Sequence, residues 1–266
     1  VSACGSSTKN TGIAYWNSPF IEYVVIVFML ITGINYGVLY ASLKGQLTML
    51  YRNEEVKFYL LFALGFSVIV AIGLLVTEHM TIEDTVRTAV FQVVSLLSGT
   101  AFVTTNYLQW TPFLWSLLLF IMLIGGCAGS ASAGLKVVRV SLLLKNSVNE
   151  FKRLLHPNAV IPVKYNQKVV QPQIITNILA FVALYILIII GSILIFTLIG
   201  LKFDESVGSS ITFLSNVGPG LGQFGPTTNY AEFPAIAKVY ASFLMLVGRL
   251  EIFTVLFVLI PSFWRK

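Results

Sequence analysis

The chain alternates between long apolar runs and short polar, turn-rich segments. Apolar residues dominate the windows 20–43, 58–76, 174–201 and 239–264. Each has roughly 20 residues or more, enough to cross a bilayer as a helix. The windows 58–76 and 174–201 contain no charged residue. Residues 82–97 and 205–214 read as helices of about 10–16 residues, too short to span comfortably, so both ends lie on one side and the segment re-enters. Polar Gly/Thr/Ser stretches follow at 98–106 and 215–228, and each leads into a second apolar span.

A repeat underlies this pattern. "VFMLITG" (27–33), "LFIMLIGG" (119–126) and "SFLMLVGR" (242–249) each place Met-Leu shortly before a glycine inside an apolar span. The polar segments correspond as well. "ACGSSTKN" (3–10) aligns with "GTAFVTTN" (99–106), with Thr8 over Thr104 and Asn10 over Asn106, and "SNVGPGLG" (215–222) is a third version. The unit is a long helix, an outer turn bearing Glu78, Glu83 and Asp84 (then Asp204 and Glu205), a short helix, a polar segment and a second helix. Thr81 and Asp204 are placed to cap the short helices. The C-terminal ends of these helices carry partial negative charge toward the polar segments, which favours a cation there, and backbone carbonyls can replace its hydration shell.

One second helix reads as broken. Residues 113–145 as a single helix would measure roughly 50 Å at about 1.5 Å per residue, against a hydrocarbon core of about 30 Å. Their middle dissolves into "IGGCAGSASAG" (124–134). Close packing of small residues explains Gly126 and Ser130 but not the whole run. A helix broken at membrane depth lines a cavity. The windows 20–43 and 239–264 read as unbroken, so this unit alone has its second helix opened out. Arg249 lies deep in its window, where an arginine is costly and by default functional. The other reading is an ion pair with another helix, since Glu251, two residues on, does not share its helix face. Glu22 reads either as an attractor of cations at the mouth or as a solvated interface residue. "IPVKYNQKVV" (161–170) predicts a short hairpin turning at Asn166-Gln167.

Composition narrows the class. Of 266 residues, 56% are hydrophobic and only 11% charged, whereas soluble domains carry about 25% charge. The chain is an all-α integral membrane protein. Its net charge of +6 is topological rather than a nucleic-acid footprint. With 44–57 and 136–172 in the cytoplasm, Lys44, Arg52, Lys57, Lys136, Arg139, Lys145, Lys152, Arg153, Lys164, Lys168, Arg265 and Lys266 lie inside. The segment 136–172 is also suited to anionic lipid or a protein partner. Cys4 and Cys127 form no metal-ligand spacing, and His79 and His156 are isolated. The residues speak against an intramembrane enzyme: the only aspartates, Asp84 and Asp204, sit at outer turns, and no HExxH occurs. A phosphate loop at 125–134 fails because Lys136 is followed by Val137. Position 1 is Val in a polar stretch, so the chain reads as a C-terminal fragment.

"NVGPGLG" (216–222), "IGGCAGSASAGLKVVRV" (124–140), "LLHPNAVIPVKYNQKVV" (154–170) and "MLVGRLEIFTVLFVLIPSFW" (245–264) resemble the membrane subunits of the Trk-type potassium uptake family, in the Trk/Ktr/HKT superfamily. The resemblance implies a pseudo-fourfold, channel-like fold of helix–pore loop–helix units. Residues 1–43 would end the second repeat, 44–57 form a cytoplasmic linker, 58–145 the third repeat, 146–172 a cytoplasmic hairpin segment and 173–266 the fourth repeat. It implies potassium transport across the cytoplasmic (inner) membrane by a multi-pass protein. The filter would be Ala3, Cys4 and Gly5, then Gly99, Thr100 and Ala101, then Asn216, Val217 and Gly218. The gate would be Gly125, Gly126, Gly129, Ser130, Ser132 and Gly134 with Arg249 below the filter, the small side chains and glycines allowing movement. The implied partners are lipid, a second copy in a homodimer and a cytosolic nucleotide-binding regulatory subunit; potassium is cargo, and no cofactor is implied. The family places glycine where Ala101 stands, and Cys4 and Ser6 also depart from its pattern, which weighs against strict potassium selectivity. A coupled cation symporter and a non-conducting remnant are the alternative readings.

Overall fold

The computed structural model describes residues 5, 7–9, 12–78, 80–260 and 264. In chain order these form α1 (Pro19–Thr32), α2 (Tyr36–Leu43), α3 (Leu47–Arg52), α4 (Glu54–Thr77), α5 (Ile82–Leu97), α6 (Pro112–Ile124), α7 (Val137–Leu155), β1 (Lys164–Tyr165), β2 (Lys168–Val169), α8 (Pro172–Ile199), α9 (Phe203–Ser215), α10 (Ala235–Arg249) and α11 (Ile252–Leu259). Apart from the hairpin this is an all-α membrane fold. α4 and α8 are long and apolar enough to cross a membrane. Prolines open α1, α6 and α8, where a missing N–H costs nothing. Asn53 caps α4 by accepting from Glu55 N at 2.8 Å, and Gly200 ends α8 in the left-handed conformation.

The short helices are the inside of the molecule. Every residue of α5 from Phe91 to Leu97 is buried, as is every residue of α9 from Gly208 to Ser215. α5 packs against α1, α4 and α6, and α9 against α8, α10 and α6, so α6 joins the two units. The outward sides of α4 and α8 carry exposed Leu61, Leu64, Val76, Leu187, Leu194 and Leu198. Such surfaces suit lipid, which satisfies apolar side chains but no backbone polar group.

The expectation of unbroken helices at 20–43 and 239–264 is overturned. α1 and α2 meet at 104° across 33–35, and α10 and α11 bend by 111° across 250–251. Hydropathy continues through both breaks, but the backbone does not. Gly33 lies so close to the Tyr59 hydroxyl that a β-carbon would overlap it, and the Asn35 side chain restarts the helix by accepting from Gly37 N at 2.8 Å. Glu251 restarts α11 from a left-handed φ of 63°. All three second helices are therefore broken. The unit formed by α4 to α7 differs in the length of its break, 125–136.

The caps are settled in part differently from expectation. Thr81 Oγ1 accepts from Asp84 N at 3.2 Å and donates to Asp84 Oδ2 at 2.6 Å. That hydroxyl, with Arg87 beside it, holds the Asp84 carboxyl below the usual carboxylate range. Asp204 is not the cap of α9. Lys202 occupies that position, and its N–H donates to Glu205 Oε2 at 3.3 Å.

The hairpin pairs Lys164 with Val169 and Tyr165 with Lys168. Asn166 and Gln167 turn it at φ of 47° and 64°, the two left-handed residues a tight hairpin needs. It is fastened to the start of α4: Glu54 N donates to Asn166 Oδ1 at 2.8 Å, and Lys145 of α7 pairs with Glu54 while donating to Lys164 O at 3.1 Å. α4 thus takes in the last residues of the stretch read as a linker. A β-branched residue tolerates the left-handed region poorly. Gln167→Val should therefore open the hairpin, speeding tryptic cleavage at Lys164 and Lys168 on the order of tenfold, while Gln167→Gly leaves the cleavage rate unchanged or lower; timed digestion in detergent checks both.

Candidate functional site

α5 and α9 end in the same way. Ser95 and Thr212 stand near the two C-termini, and each hydroxyl donates to the carbonyl seven residues on: Ser95 to Phe102 O and Thr212 to Pro219 O, both at 2.7 Å. Their own carbonyls accept from Ala101 N at 3.0 Å and Val217 N at 3.1 Å. The polar segments are thereby folded back over the ends of the helices. Gly99 and Asn216, the first positions, lie at φ of 72° and 53°. The third positions, Gly5, Ala101 and Gly218, lie at 70°, 54° and 120°. All five occupy the left-handed region, which costs an L-residue roughly 1–2 kcal/mol. Ala101 departs from glycine in sequence but not in conformation.

These segments meet around one cavity of about 470 Å³, lined by Gly5, Ala101, Asn216, Gly218, Tyr230 and Met245 among others. Gly5 N donates to Thr100 O at 2.7 Å, and Tyr230 Oη donates to Gly218 O at 2.9 Å. Among the described residues, the carbonyls of Gly99, Ala101, Asn216 and Val217 accept no hydrogen bond. Ala3 and Cys4 lie outside the described residues.

The 125–136 loop lies directly against this floor: a β-carbon on Gly99 would stand 3.3 Å from Ser132 Cβ. Its neck closes through Leu135 N to Leu123 O at 3.0 Å and Lys136 N to Ile124 O at 2.7 Å. Inside, Gly126 N donates to Ser132 Oγ at 2.7 Å, and Ser130 Oγ donates to Cys127 O at 2.6 Å. Gly129 and Gly134 take φ of 73° and 88°. Gly125 is needed for close approach, because a β-carbon there would overlap the Ala133 carbonyl. The small residues therefore pack the loop tightly in the conformation seen.

The other two breaks hold this loop. Cys127 N donates to Gly33 O at 2.9 Å, Asn35 Nδ2 to Ala128 O at 2.6 Å and Tyr36 N to Gly129 O at 3.1 Å. From the far side Arg249 Nη1 donates to Ala131 O at 2.6 Å. Arg249 is thus bound to the loop backbone and, among the described residues, pairs with no carboxylate. Glu251 instead takes Lys136 at 3.0 Å and Arg139 at 2.8 Å, with the Arg139 guanidinium over the Phe181 ring at 3.9 Å. A second cavity of about 210 Å³ sits among Ser130, Ser132, Lys136, Tyr185, Arg249 and Glu251. Glu22 is neither free at a mouth nor simply solvated; it binds Arg87 at 2.8 Å, and Arg87 also holds Glu83 and Asp84.

Sequence reasoning missed Asn35, Glu55, Glu251 and Tyr230 as parts of this site. "TGINYG" did carry a signal, since an asparagine after Gly-Ile inside an apolar run is a helix-start residue. Nothing local ties Glu55 to Ala128, 73 residues away, whose N–H its carboxylate accepts.

Fold and site together define a membrane protein of helix–loop–helix repeats whose polar loops converge on one cavity above an intramembrane loop. The TrkH family of cation transport proteins matches residues 1–266, and the chain belongs to it. It is 36% identical over 266 residues to the Trk system potassium uptake protein TrkH of Escherichia coli (strain K12), covering 98% of this chain and 54% of that protein. Identity to TrkH of Halomonas elongata is 33% over 263 residues, with the same coverage. The crystal structure of the potassium transporter TrkH from Vibrio parahaemolyticus matches with a TM-score of 0.92 at 32% identity, covering 98% of this chain and 56% of that one. The chain spans about half the length of the curated relatives it matches.

The left-handed backbone at position 101 can be tested directly. Ala101→Gly should leave the thermal midpoint within a degree or two, whereas Ala101→Val, β-branched and almost wholly buried, should lower stability by about 1–3 kcal/mol. Thermal unfolding in detergent distinguishes them.

Proposed function

We propose that the protein conducts potassium into the cell across the cytoplasmic (inner) membrane, through a pore whose filter includes Ala3–Gly5, Gly99–Ala101 and Asn216–Gly218. The observation that carries this reading is the convergence of left-handed third positions on one cavity, with neighbouring carbonyls that accept no hydrogen bond among the described residues. Carbonyl oxygens so placed suit a dehydrated cation. The C-terminal ends of α5 and α9 add partial negative charge at the same place. The relatives' names supply the ion: they are potassium uptake proteins.

Below the filter, Ser132 sits against Gly99, and Arg249 reaches across to Ala131. A fixed positive charge there opposes a cation, and its hydrogen bond holds the loop over the path. In this reading the 125–134 loop with Arg249 is the gate. Control comes from a cytosolic nucleotide-binding regulatory subunit, and the protein works as a homodimer. The basic residues around the hairpin, Lys145, Arg153, Lys164 and Lys168, support an inner face that meets such a subunit and anionic lipid. Potassium is cargo, and the reading calls on no cofactor.

Radioactive rubidium uptake into liposomes is the test. Potassium-competable uptake is expected, and Arg249→Ala should raise it about tenfold by removing both the charge and the Ala131 bond. Absence of potassium-competable uptake, with and without a regulatory partner, sinks the proposal.

A further inference from the structure

The gate loop is not held evenly. Residues 127–129 are held by four hydrogen bonds from two places: the Gly33 carbonyl, the Asn35 side chain and the Tyr36 N–H at the first break, and the Glu55 carboxylate of α4. Among the described residues, 130–134 receive one hydrogen bond from another helix, Arg249 to Ala131. The loop therefore has an anchored half and a half secured by a single bond, and Ser132, the residue against the filter, is in the second half.

Glu55 is the unusual member of the anchor. It is a carboxylate with 6% exposure, in the charged first turn of a membrane helix that is free of charge from Phe58 onward. Such a group is retained where it is paired and doing something specific. Its negative charge suits the positive end of α4, and a carboxylate accepting a backbone N–H makes one of the stronger hydrogen bonds. The residue before it faces the other way. Glu54 pairs with Lys145 of α7, and its N–H donates to Asn166 in the hairpin turn. Two adjacent residues of one helical turn thus hold the hairpin and the intramembrane loop.

We infer that Glu55 is a positioning residue for the gate: it fixes the anchored half of the loop, so that opening pivots at 127–129, and its turn ties that pivot to the hairpin. The inference rests on the proposed gating role of the loop. A displacement of the hairpin is carried by the first turn of α4 to Ala128, the start of the half that lies under the filter. No separate mobile domain is required, since the link is one turn of helix.

Two readouts test it. Cys127, fully buried and next to Ala128, reports anchoring through its rate of maleimide modification, assigned by mass spectrometry so that Cys4 does not count. Rubidium flux into liposomes reports gating. Glu55→Ala should raise both Cys127 labelling and flux about tenfold, the weight of a charge-assisted hydrogen bond. Glu55→Gln, which keeps an acceptor of the same reach but not the charge, should rise by about threefold, less than Glu55→Ala, whereas Glu55→Asp, charged but shorter, should rise as far as Glu55→Ala. Should Glu55→Ala fail to fold, the Gln and Asp pair decides the matter. Unchanged labelling in Glu55→Ala, or in Glu55→Asp, overturns the inference. If Arg249→Ala alters flux and Glu55→Ala does not, the gate stands and the pivot is wrong. If labelling rises in Glu55→Ala but neither variant alters flux, the anchor is supported and only the gating role falls.

Discussion

Inside a bilayer a backbone N–H or C=O without a partner costs several kcal/mol, and this constraint organises the protein. Each of the three second helices is interrupted, so each exposes orphan groups at membrane depth. They are satisfied by one another. The Gly33 carbonyl at the first break takes the Cys127 N–H of the second. The carbonyls of Ala128 and Gly129 take donors from Asn35 and Tyr36. Ala131 takes Arg249, next to the third break. Lys136 and Glu251, each the left-handed residue that restarts a helix, pair with each other. Any one break can change shape only if another gives up a bond.

The polar loops that follow the short helices depend on the same breaks. A β-carbon on Gly248, in the last turn of α10, would overlap the Leu214 carbonyl of α9, and Asn216 Nδ2 donates to Met245 O at 3.0 Å. In the unit formed by α4 to α7, Gly99 rests on Ser132. Polar loops and second helices are thus in direct contact in these two units, and Gly248 of the Met-Leu and glycine signature makes one of those contacts possible. The methionine of the first two copies fills the core, Met29 and Met122 being fully buried, while Gly126 and Gly248 let backbones meet and Gly33 makes room for the Tyr59 ring. The short helices carry hydroxyls for a related reason. In α5 and α9, Ser95 and Thr212 supply donors that a segment turning back at depth cannot obtain from water.

What was legible in the sequence was what hydropathy and local turn chemistry encode. α4, α8 and the two re-entrant helices follow from run lengths. The break at 125 follows from a run of poor helix formers, and the hairpin turn from a polar Asn-Gln between short β-branched stretches. The breaks at 33–35 and 250–251 were hidden because apolar character continues on both sides of each, and a hydropathy window does not register a bend of more than 100°. Glu251 illustrates the limit. Its spacing from Arg249 correctly excluded a shared helix face, but α10 had already ended, and its partners, Lys136 and Arg139, lie more than 100 residues earlier. Long-range anchors of this kind, Glu55 above all, have no local signature.

The three breaks differ in length, and the difference has a physical consequence. Two residues separate α10 from α11 and three separate α1 from α2, while twelve lie between α6 and α7. A short break is closed by a capping side chain and a close neighbour, as Asn35 and Tyr59 close the first. A long one exposes more backbone than its own side chains can satisfy and must borrow partners. The 125–136 loop borrows them from both other breaks and from α4, and those partners come from opposite sides. Its conformation therefore depends on the relative positions of more helices than that of either short break, and it lies against the polar loops that line the cavity.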